Sequence, residues 1–349
     1  MSSQSYKEAI AAATKEILHQ IPNAVVIGQG VGDPTRIFGT TAGLLKEFSS
    51  ERIIDMPLME EGMTGIAIGM ALNGLYPIQT HIRVDFLLLA VNQLVNMAAK
   101  YRYMYGGAFE VPMLIRAVVG RSWGQGPQHS QSLQSLFAHI PGLTVIMPST
   151  AEDAYHSYIY AAKIFKNPVL SIEHRFLYDL QFENRQESHR IKNPFQSRLV
   201  EKGDDVTIVA TSYMVQEAQR AAAWLKENTP VTCEIIDLHC VSQVDSILLL
   251  RSLQKTGHLI VADTSWKAYG VSAEICRLVA EHSPDVLRKP VVTMGMQPSP
   301  CPTSHMLEEV FYSDMIDIVS SVLKLNDLSI TPPSKSYSKQ LRKTFRGPF

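Results

Sequence analysis

The chain of 349 residues lacks the compositional marks of several protein classes. Its four cysteines form no CxxC pair, which argues against zinc and disulfide scaffolds and favours buried thiols in a reducing compartment. No apolar run reaches the about 20 residues that a membrane-spanning helix needs. The 32 basic and 33 acidic side chains give a formal charge of −1, so the composition does not predict a broad basic surface that would bind nucleic acid. We therefore expect a cytoplasmic protein that binds neither nucleic acid nor membrane.

Motifs for nucleotide binding are also missing or incomplete. No GxxxxGK[ST] loop occurs, so hydrolysis of nucleoside triphosphates has no support. The run Gly28-Gln-Gly-Val-Gly32 follows an apolar segment, but Asp33 occupies the third glycine position of the dinucleotide fingerprint, which favours an ordinary loop. The amino terminus shows neither an apolar signal core nor an Arg-rich transit segment.

Alternating strand-sized and helical patterns predict an α/β fold with two doubly wound domains. At about 150 residues per domain, the length also predicts two domains. We predict a first domain over residues 1–180, a linker over 181–204, a second domain over 205–328 and a basic tail over 329–349. Predicted strands cover 24–28, 52–55, 77–80, 112–117, 143–147, 168–172, 206–211, 231–238 and 258–262; predicted helices cover 62–75, 87–104, 132–138, 151–162, 215–227, 246–255 and 272–282.

Two carboxylates, Glu60 and Glu61, stand where a helix begins after a predicted strand. Acidic residues at a helix amino terminus often only complement the helix dipole. Leu58 and Met59 precede them, however, and apolar surroundings favour the neutral form of a carboxyl group. One of the two carboxyls could therefore share a proton with a ligand.

Two further segments follow predicted strands. The glycine-rich loop 120–131 carries His129 and Gln131, and loops at the carboxyl ends of parallel strands bind ligands in open α/β sheets. A lone loop histidine is nevertheless often merely solvated. Segment 81–86 contains Arg83 and ends in Phe86, whose simplest role is core packing. Neither segment identifies a function by itself.

Taken together and in this order, the segments resemble the beta subunit of the first, decarboxylating component of thiamine diphosphate-dependent 2-oxo acid dehydrogenases of the pyruvate, branched-chain and acetoin types. The resemblance extends from Tyr6 to Leu323 and depends most on residues 52–69, 96–107 and 128–143. It implies a pyrimidine-binding, transketolase-like first domain and a transketolase carboxy-terminal second domain that mainly builds the assembly.

The resemblance also implies roles for individual residues. The family's cofactor-activating glutamate falls on Glu60, and the ring stacked on the aminopyrimidine falls on Phe86, with Leu58 and Met59 as further cofactor contacts. A carboxyl group bonded to the aminopyrimidine ring nitrogen favours the imino tautomer, whose exocyclic nitrogen then removes the thiazolium C2 proton. Glu60 is the residue implied for that switch.

The histidine of the family's reacting centre falls on His129, which would bind the substrate carboxylate or transfer protons. Gln131 is a candidate helper of His129. Arg83 and Trp123 favour a substrate that is larger or more polar than pyruvate. Relatives carry an acidic pair where this chain has Gln29-Gly30, which leaves the substrate and the acyl acceptor open.

The metal-diphosphate motif of thiamine diphosphate enzymes, Gly-Asp-Gly followed later by Asn-Asn, is absent from the sequence. The resemblance therefore implies that an alpha subunit holds the diphosphate and Mg²⁺, in an α2β2 heterotetramer whose beta chains associate through the carboxy-terminal domain. No metal-binding residue is predicted in this chain. A lipoyl acyltransferase core is a further possible partner, and the family allows a monovalent cation near residues 150–167.

The sequence leaves three functions open. The leading hypothesis is decarboxylation of a 2-oxo acid with acyl transfer to a lipoyl carrier. A two-subunit transketolase-like or carboligating enzyme would use Glu60 in the same way but transfer a two-carbon unit to an aldehyde. A non-catalytic assembly subunit would not need Glu60 for activity.

Overall fold

The computed structural model describes residues 3–33, 37–121, 124–183 and 193–334. The described chain divides into two compact units. The first contains the residues up to Gly120 and Leu136–Phe195, and the second contains Arg121–Ser135 and the residues from Gln196 onward. Within the described ranges, no helix is long and apolar enough to cross a membrane.

The first unit is built on a six-stranded, wholly parallel sheet. Apart from the short antiparallel pair β1 (Ser3–Ser5) and β8 (Gln181–Glu183), its strands are β2 (Ala24–Gly28), β3 (Ile53–Asp55), β4 (Tyr76–His81), β5 (Leu114–Val119), β6 (Thr144–Ile146) and β7 (Val169–His174). The strand order is β3-β2-β4-β5-β7-β6. The chain moves from β2 outward to β3 and returns to the other side of β2 for β4. Open α/β sheets bind ligands where the strand order reverses in this way.

Helices connect these strands. They are α1 (Tyr6–Gln20), α2 (Leu44–Arg52), α3 (Glu60–Leu72), α4 (Val84–Leu87), α5 (Tyr101–Met104), α6 (Gln134–Ala138) and α7 (Ala151–Lys163). Capping boxes begin two of them, with Ser5 and Glu8 at α1 and Thr150 and Asp153 at α7. Their buried alanine-rich faces then let α1 and α7 pack against each other.

The helix predicted over 87–104 is wrong in detail. The chain there forms α4, a 3₁₀ turn (Leu88–Ala90), a π-helical turn (Gln93–Ala98) and α5. The break after the π turn coincides with a close approach of the 141–142 turn. A Cβ on Gly142 would lie 2.0 Å from the Ala99 carbonyl oxygen, and Lys100 Nζ donates to the Pro141 carbonyl oxygen at 2.6 Å. Helical periodicity in the sequence cannot report such a non-local contact.

The second unit contains a five-stranded sheet in the order β13-β12-β10-β11-β9, in which only β9 is antiparallel to its neighbour. Its strands are β9 (Arg198–Glu201), β10 (Val206–Ala210), β11 (Cys233–Asp237), β12 (Leu259–Trp266) and β13 (Val292–Met296). Its helices are α8 (Tyr213–Asn228), α9 (Ser246–Thr256), α10 (Val271–His282), α11 (His305–Phe311) and α12 (Met315–Leu325). All four cysteines are free, and Cys233, Cys240 and Cys301 are buried. The predicted class of two α/β domains is therefore confirmed.

Candidate active site

The carboxyl ends of β2, β3 and β4 meet at one edge of the first sheet. Asp55 Oδ1 accepts a hydrogen bond from the Gly30 backbone N–H at 2.8 Å, and the Met56 N–H donates to the Gly28 carbonyl oxygen at 2.9 Å. A Cβ at position 28 would lie 2.6 Å from the Thr80 carbonyl oxygen, so only glycine allows β2 and β4 to approach this closely. These hydrogen bonds connect the loops after β2 and β3, so that the two loops form one continuous surface at the carboxyl edge of the sheet.

Glu60 is the first residue of α3 and points away from bulk water, with 7% of its surface exposed. Among the described residues, no group hydrogen-bonds its carboxylate. Its backbone is firmly held, because Thr64 Oγ1 donates to the Glu60 carbonyl oxygen at 2.7 Å and Gln79 Nε2 donates to Thr64 Oγ1 at 2.7 Å. The first turn of α3 is thus fixed, and the carboxylate is available to a ligand.

The neighbouring carboxylate, Glu61, has a different environment. It is exposed, and Gln93 Nε2 donates to its Oε1 at 3.3 Å. A buried carboxyl without an internal partner suits proton sharing with a ligand better than an exposed one that is already bonded. This contrast favours Glu60 over Glu61 for that role, which stays a prediction.

Large apolar side chains around the start of α3 remain exposed. Phe86 on α4 is 37% exposed, and Leu58 is 83% exposed. We call the exposed side chains of the loops after β3 and β4 the apolar rim, which consists of Leu58, Met59, Phe86, Leu88 and Leu89. Helix α3 packs against the turn that carries Leu88 and Leu89. An exposed set of this kind is typical of a surface that a ligand or another protein covers.

Arg83 is buried, and its Nη1 donates to the Gly120 carbonyl oxygen at 2.8 Å. This bond ties the loop after β4 to the end of β5. Gly120 has a φ of +121°, and a Cβ there would lie 3.1 Å from the His174 ring. Arg83 therefore connects these two segments of the first unit. Its direct contact with substrate stays a prediction.

The other proposed substrate residues lie in the segment 121–135, which is grouped with the second unit. His129 and Gln131 are both half-buried there. Trp123 lies outside the described residues. The roles proposed for these three residues stay predictions.

Two residues at this edge, Thr64 and Gln79, were not predicted from the sequence. A third, Gln29, was noted only as a departure from the family. Thr64 and Gln79 support Glu60 through buried hydrogen bonds. Gln29, directly after β2, is buried, and its Nε2 has no hydrogen-bond partner in the part of the chain that the structure describes. The signal for Gln79 was a polar residue inside the otherwise apolar start of strand β4.

His81, the last residue of β4, is fully buried, and within the described ranges neither ring nitrogen has a hydrogen-bond partner. Burial lowers the pKa of His81 to about 3. The unfolded chain binds a proton at this residue below about pH 6.5, whereas the folded chain does not until about pH 3. Folding stability should therefore fall as the pH falls through this range, by about 1.4 kcal/mol per pH unit for this one proton.

We expect His81→Phe to stabilise the protein and to flatten this dependence, because the ring remains while two unpartnered nitrogens disappear. The measurement is urea unfolding at pH 7, 6, 5 and 4. The exposed His139 offers a control, since His139→Phe removes an imidazole without touching the interior. A His81→Phe profile as steep as that of the wild type would contradict the prediction.

The residues at this edge fit an aminopyrimidine. Such a ring needs a carboxyl partner for its ring nitrogen and an apolar face against which to stack. The Glu60 carboxyl, which has no hydrogen-bond partner among the described residues, and the partly exposed Phe86 ring are groups of these two kinds. A largely parallel α/β unit with such an edge suits the class of pyrimidine-binding proteins, and the roles of Glu60 and Phe86 stay predictions.

Comparison with known families agrees with that class. Residues 2–181 match the transketolase pyrimidine-binding domain, and residues 196–317 match the transketolase C-terminal domain. The chain belongs to the transketolase family, in the group that contains the beta subunits of the pyruvate dehydrogenase E1 component.

Several relatives match over nearly the whole chain. The pyruvate dehydrogenase E1 component subunit beta of Rickettsia conorii is 33% identical over 325 residues, which are 93% of this chain and 98% of that protein. The mitochondrial subunit of Saccharomyces cerevisiae is 33% identical over 92% of this chain and 88% of its own. The beta subunit of acetoin:2,6-dichlorophenolindophenol oxidoreductase from Cupriavidus necator is 34% identical over 92% of this chain and 96% of its own. The predicted resemblance is confirmed.

A solved structure described as a split-gene transketolase, an inactive beta4 tetramer, has the same fold. It superposes with a TM-score of 0.74 at 22% identity and covers 93% of this chain and 99% of its own. The predicted pairing of two transketolase-like domains is likewise confirmed.

Proposed function

We propose that this chain is the beta-type subunit of a thiamine diphosphate-dependent 2-oxo acid dehydrogenase, which decarboxylates a 2-oxo acid and passes the acyl group to a lipoyl carrier. The single observation that carries the proposal is the buried Glu60 carboxyl without a partner among the described residues, set at the point where the strand order reverses. The relatives' names support the same reaction class.

When bound, thiamine diphosphate supplies an acidic carbon that becomes a nucleophile toward a 2-oxo group and accepts the electrons released with carbon dioxide. The Glu60 carboxyl group can form a hydrogen bond to the aminopyrimidine ring nitrogen and share a proton with it. Phe86 stacks on the pyrimidine face, and Leu58 and Met59 exclude water from its edge. These residues orient one half of the cofactor.

The substrate side of the proposal rests on the segment after β5. His129 binds the substrate carboxylate or moves a proton, and Gln131 orients it. Arg83 braces the loop after β4, and Trp123 completes the proposed substrate set. The Gln29 amide, at the family's acidic position, is a neutral group, and its Nε2, which has no partner among the described residues, suits a polar substrate.

A partner must provide the other half of the pocket in this proposal. An alpha subunit holds the diphosphate and Mg²⁺ and covers the apolar rim, whose exposure otherwise leaves large apolar area in water. Two such pairs form an α2β2 heterotetramer, with beta–beta contacts through the carboxy-terminal domain. A lipoyl acyltransferase core and a monovalent cation near residues 150–167 belong to the same proposal.

The test is co-expression of this chain with an alpha-type E1 subunit from the same organism, followed by titration with thiamine diphosphate and Mg²⁺. We expect tight binding by the complex and weak binding by either chain alone. Acylation of a lipoyl domain would support the dehydrogenase, and transfer only to aldehydes would favour the transketolase-like alternative. Tight binding of cofactor and Mg²⁺ by this chain alone would overturn the shared-pocket proposal.

A further inference from the structure

The loop that carries His129 is held by the carboxy-terminal part of the second unit. The Tyr312 hydroxyl, in the link between α11 and α12, lies 3.3 Å from two acceptors, the Ser130 carbonyl oxygen and Cys301 Sγ, and the carbonyl oxygen is the stronger acceptor for its single proton. Burial raises the pKa of Tyr312, so the hydroxyl stays a donor at neutral pH. The Arg121 guanidinium forms a cation–π contact with the Tyr312 ring, with its central carbon 4.4 Å from the ring centre.

The beginning of the same loop lies against the segment before α11. A Cβ on Gly124 would lie 2.9 Å from the Thr303 backbone oxygen, and a Cβ on Gly126 would lie 2.5 Å from Thr303 Cγ2. The Gly126 contact could be relieved by rotation of the exposed Thr303 side chain. The Gly124 contact could not, because its neighbour is backbone. The loop therefore touches residues 303–312 at both ends.

The end of the segment is bonded to β12 of the same unit. Gln134 Nε2 donates to Asp263 Oδ1 at 2.7 Å, and Ser132 Oγ lies 2.9 Å from Thr264 Oγ1. All of these groups are buried. Residues 124–134 are thus held at their beginning, middle and end by groups that lie at least 129 positions later in the sequence.

We propose that Tyr312 and the Thr303 backbone are positioning groups that hold loop 124–131, and with it His129, in its working conformation. The inference rests on the proposed function, because His129 has its role only there. It assigns the carboxy-terminal unit a part in substrate handling as well as in assembly. Neither Tyr312 nor Thr303 is required to touch substrate or cofactor.

The test uses the complete complex with its alpha partner and compares Gly124→Ala with Gly74→Ala. Both glycines have positive φ, +63° and +83°, but a Cβ on Gly74 meets nothing within 4 Å. We expect Gly124→Ala to lower kcat/KM for the 2-oxo acid about 10- to 100-fold, because small misplacements of reacting groups are costly. Its Kd for thiamine diphosphate should stay unchanged, and Gly74→Ala should behave like the wild type.

Tyr312→Phe provides a second variant, which keeps the ring under Arg121 and removes only the hydroxyl. Backbone amide exchange across residues 124–131 should accelerate in Tyr312→Phe and Gly124→Ala but not in Gly74→Ala. Equal losses in the two glycine variants, or wild-type exchange and kcat/KM in both Gly124→Ala and Tyr312→Phe, would overturn the proposal. If the wild-type complex turns over no 2-oxo acid, the proposed function fails, and amide exchange alone decides whether the loop is held as inferred.

Discussion

Glu60→Gln is expected to reduce decarboxylation of the 2-oxo acid by about 10²- to 10⁴-fold, the usual contribution of a group that transfers or holds a proton. The amide has nearly the same shape as the carboxyl group but cannot exchange a proton with the aminopyrimidine ring. Because Thr64 bonds the backbone of Glu60 and not its side chain, the substitution leaves α3 and its support intact.

Glu61→Gln is the matched control, since it makes the same chemical change one residue along the same helix. Glu61 is exposed, and its one described hydrogen bond, from Gln93, persists when the acceptor is an amide oxygen. We expect close to wild-type turnover for Glu61→Gln. Assembly with the alpha partner should be unchanged in both variants, as measured by gel filtration of the complex.

A second measurement separates chemistry from binding. The rate of hydrogen–deuterium exchange at the reactive carbon of bound thiamine diphosphate should fall in Glu60→Gln, with little change in cofactor Kd. Full activity of Glu60→Gln would instead favour the non-catalytic assembly subunit. Loss of activity only in Glu61→Gln would show that the proton-holding role belongs to the neighbouring carboxyl group.

The position of Glu60 could be predicted because the features that place it are local. A β-branched strand, a short link containing Pro57 and a glycine-rich helix follow one another within 20 residues, 53–72. The predicted helix began at Gly62, whereas α3 begins at Glu60. The start of α3 is hard to place from the sequence because its N-cap residue is Met59, which forms no side-chain capping hydrogen bond.

The groups that support the site could not be predicted, because the contacts that define them are distant in sequence. The strand predicted over 77–80 is present as β4, but the pattern does not predict that its polar residues are all buried or that Gln79 bonds Thr64. Strand β9 is half-buried along its length and therefore shows no alternation. The grouping of residues 121–135 with the second unit depends on partners such as Asp263 and Tyr312. Periodicity contains no information about such pairs.

Arg116→Met is expected to lower the free energy of unfolding of the first unit by about 3–5 kcal/mol, the usual cost of leaving a buried charge unpaired. Arg116 on β5 and Glu173 on β7 are both buried and form two hydrogen bonds, Nε to Oε1 at 2.6 Å and Nη2 to Oε2 at 3.0 Å. Tyr158 and Tyr178 each donate a further hydrogen bond to the Glu173 carboxylate. Removal of Arg116 leaves that carboxylate with hydroxyl donors but no compensating charge.

The double variant Arg116→Met/Glu173→Leu tests this reason, because it removes both charges together. Buried ion pairs replaced by apolar side chains cost far less than either half-pair, so the double variant should be more stable than Arg116→Met. The exposed pair of Lys15 and Glu47, 2.7 Å apart, gives a control, and Lys15→Met should change stability only slightly. The measurement is the urea midpoint of the first unit. Backbone amide hydrogen exchange in β5 and β7 then shows whether these two strands are the part that is loosened.

The same pair links stability to the candidate site. Glu173 directly precedes His174, whose ring lies beside Gly120, and the Gly120 carbonyl accepts the hydrogen bond from Arg83. Loosening β5 against β7 should therefore also release the loop after β4, which carries Phe86. We expect Arg116→Met to weaken cofactor binding in the assembled complex at temperatures well below its melting point, and the double variant to restore it. Unchanged cofactor affinity in a destabilised Arg116→Met would show that the carboxyl edge is held independently of the pair.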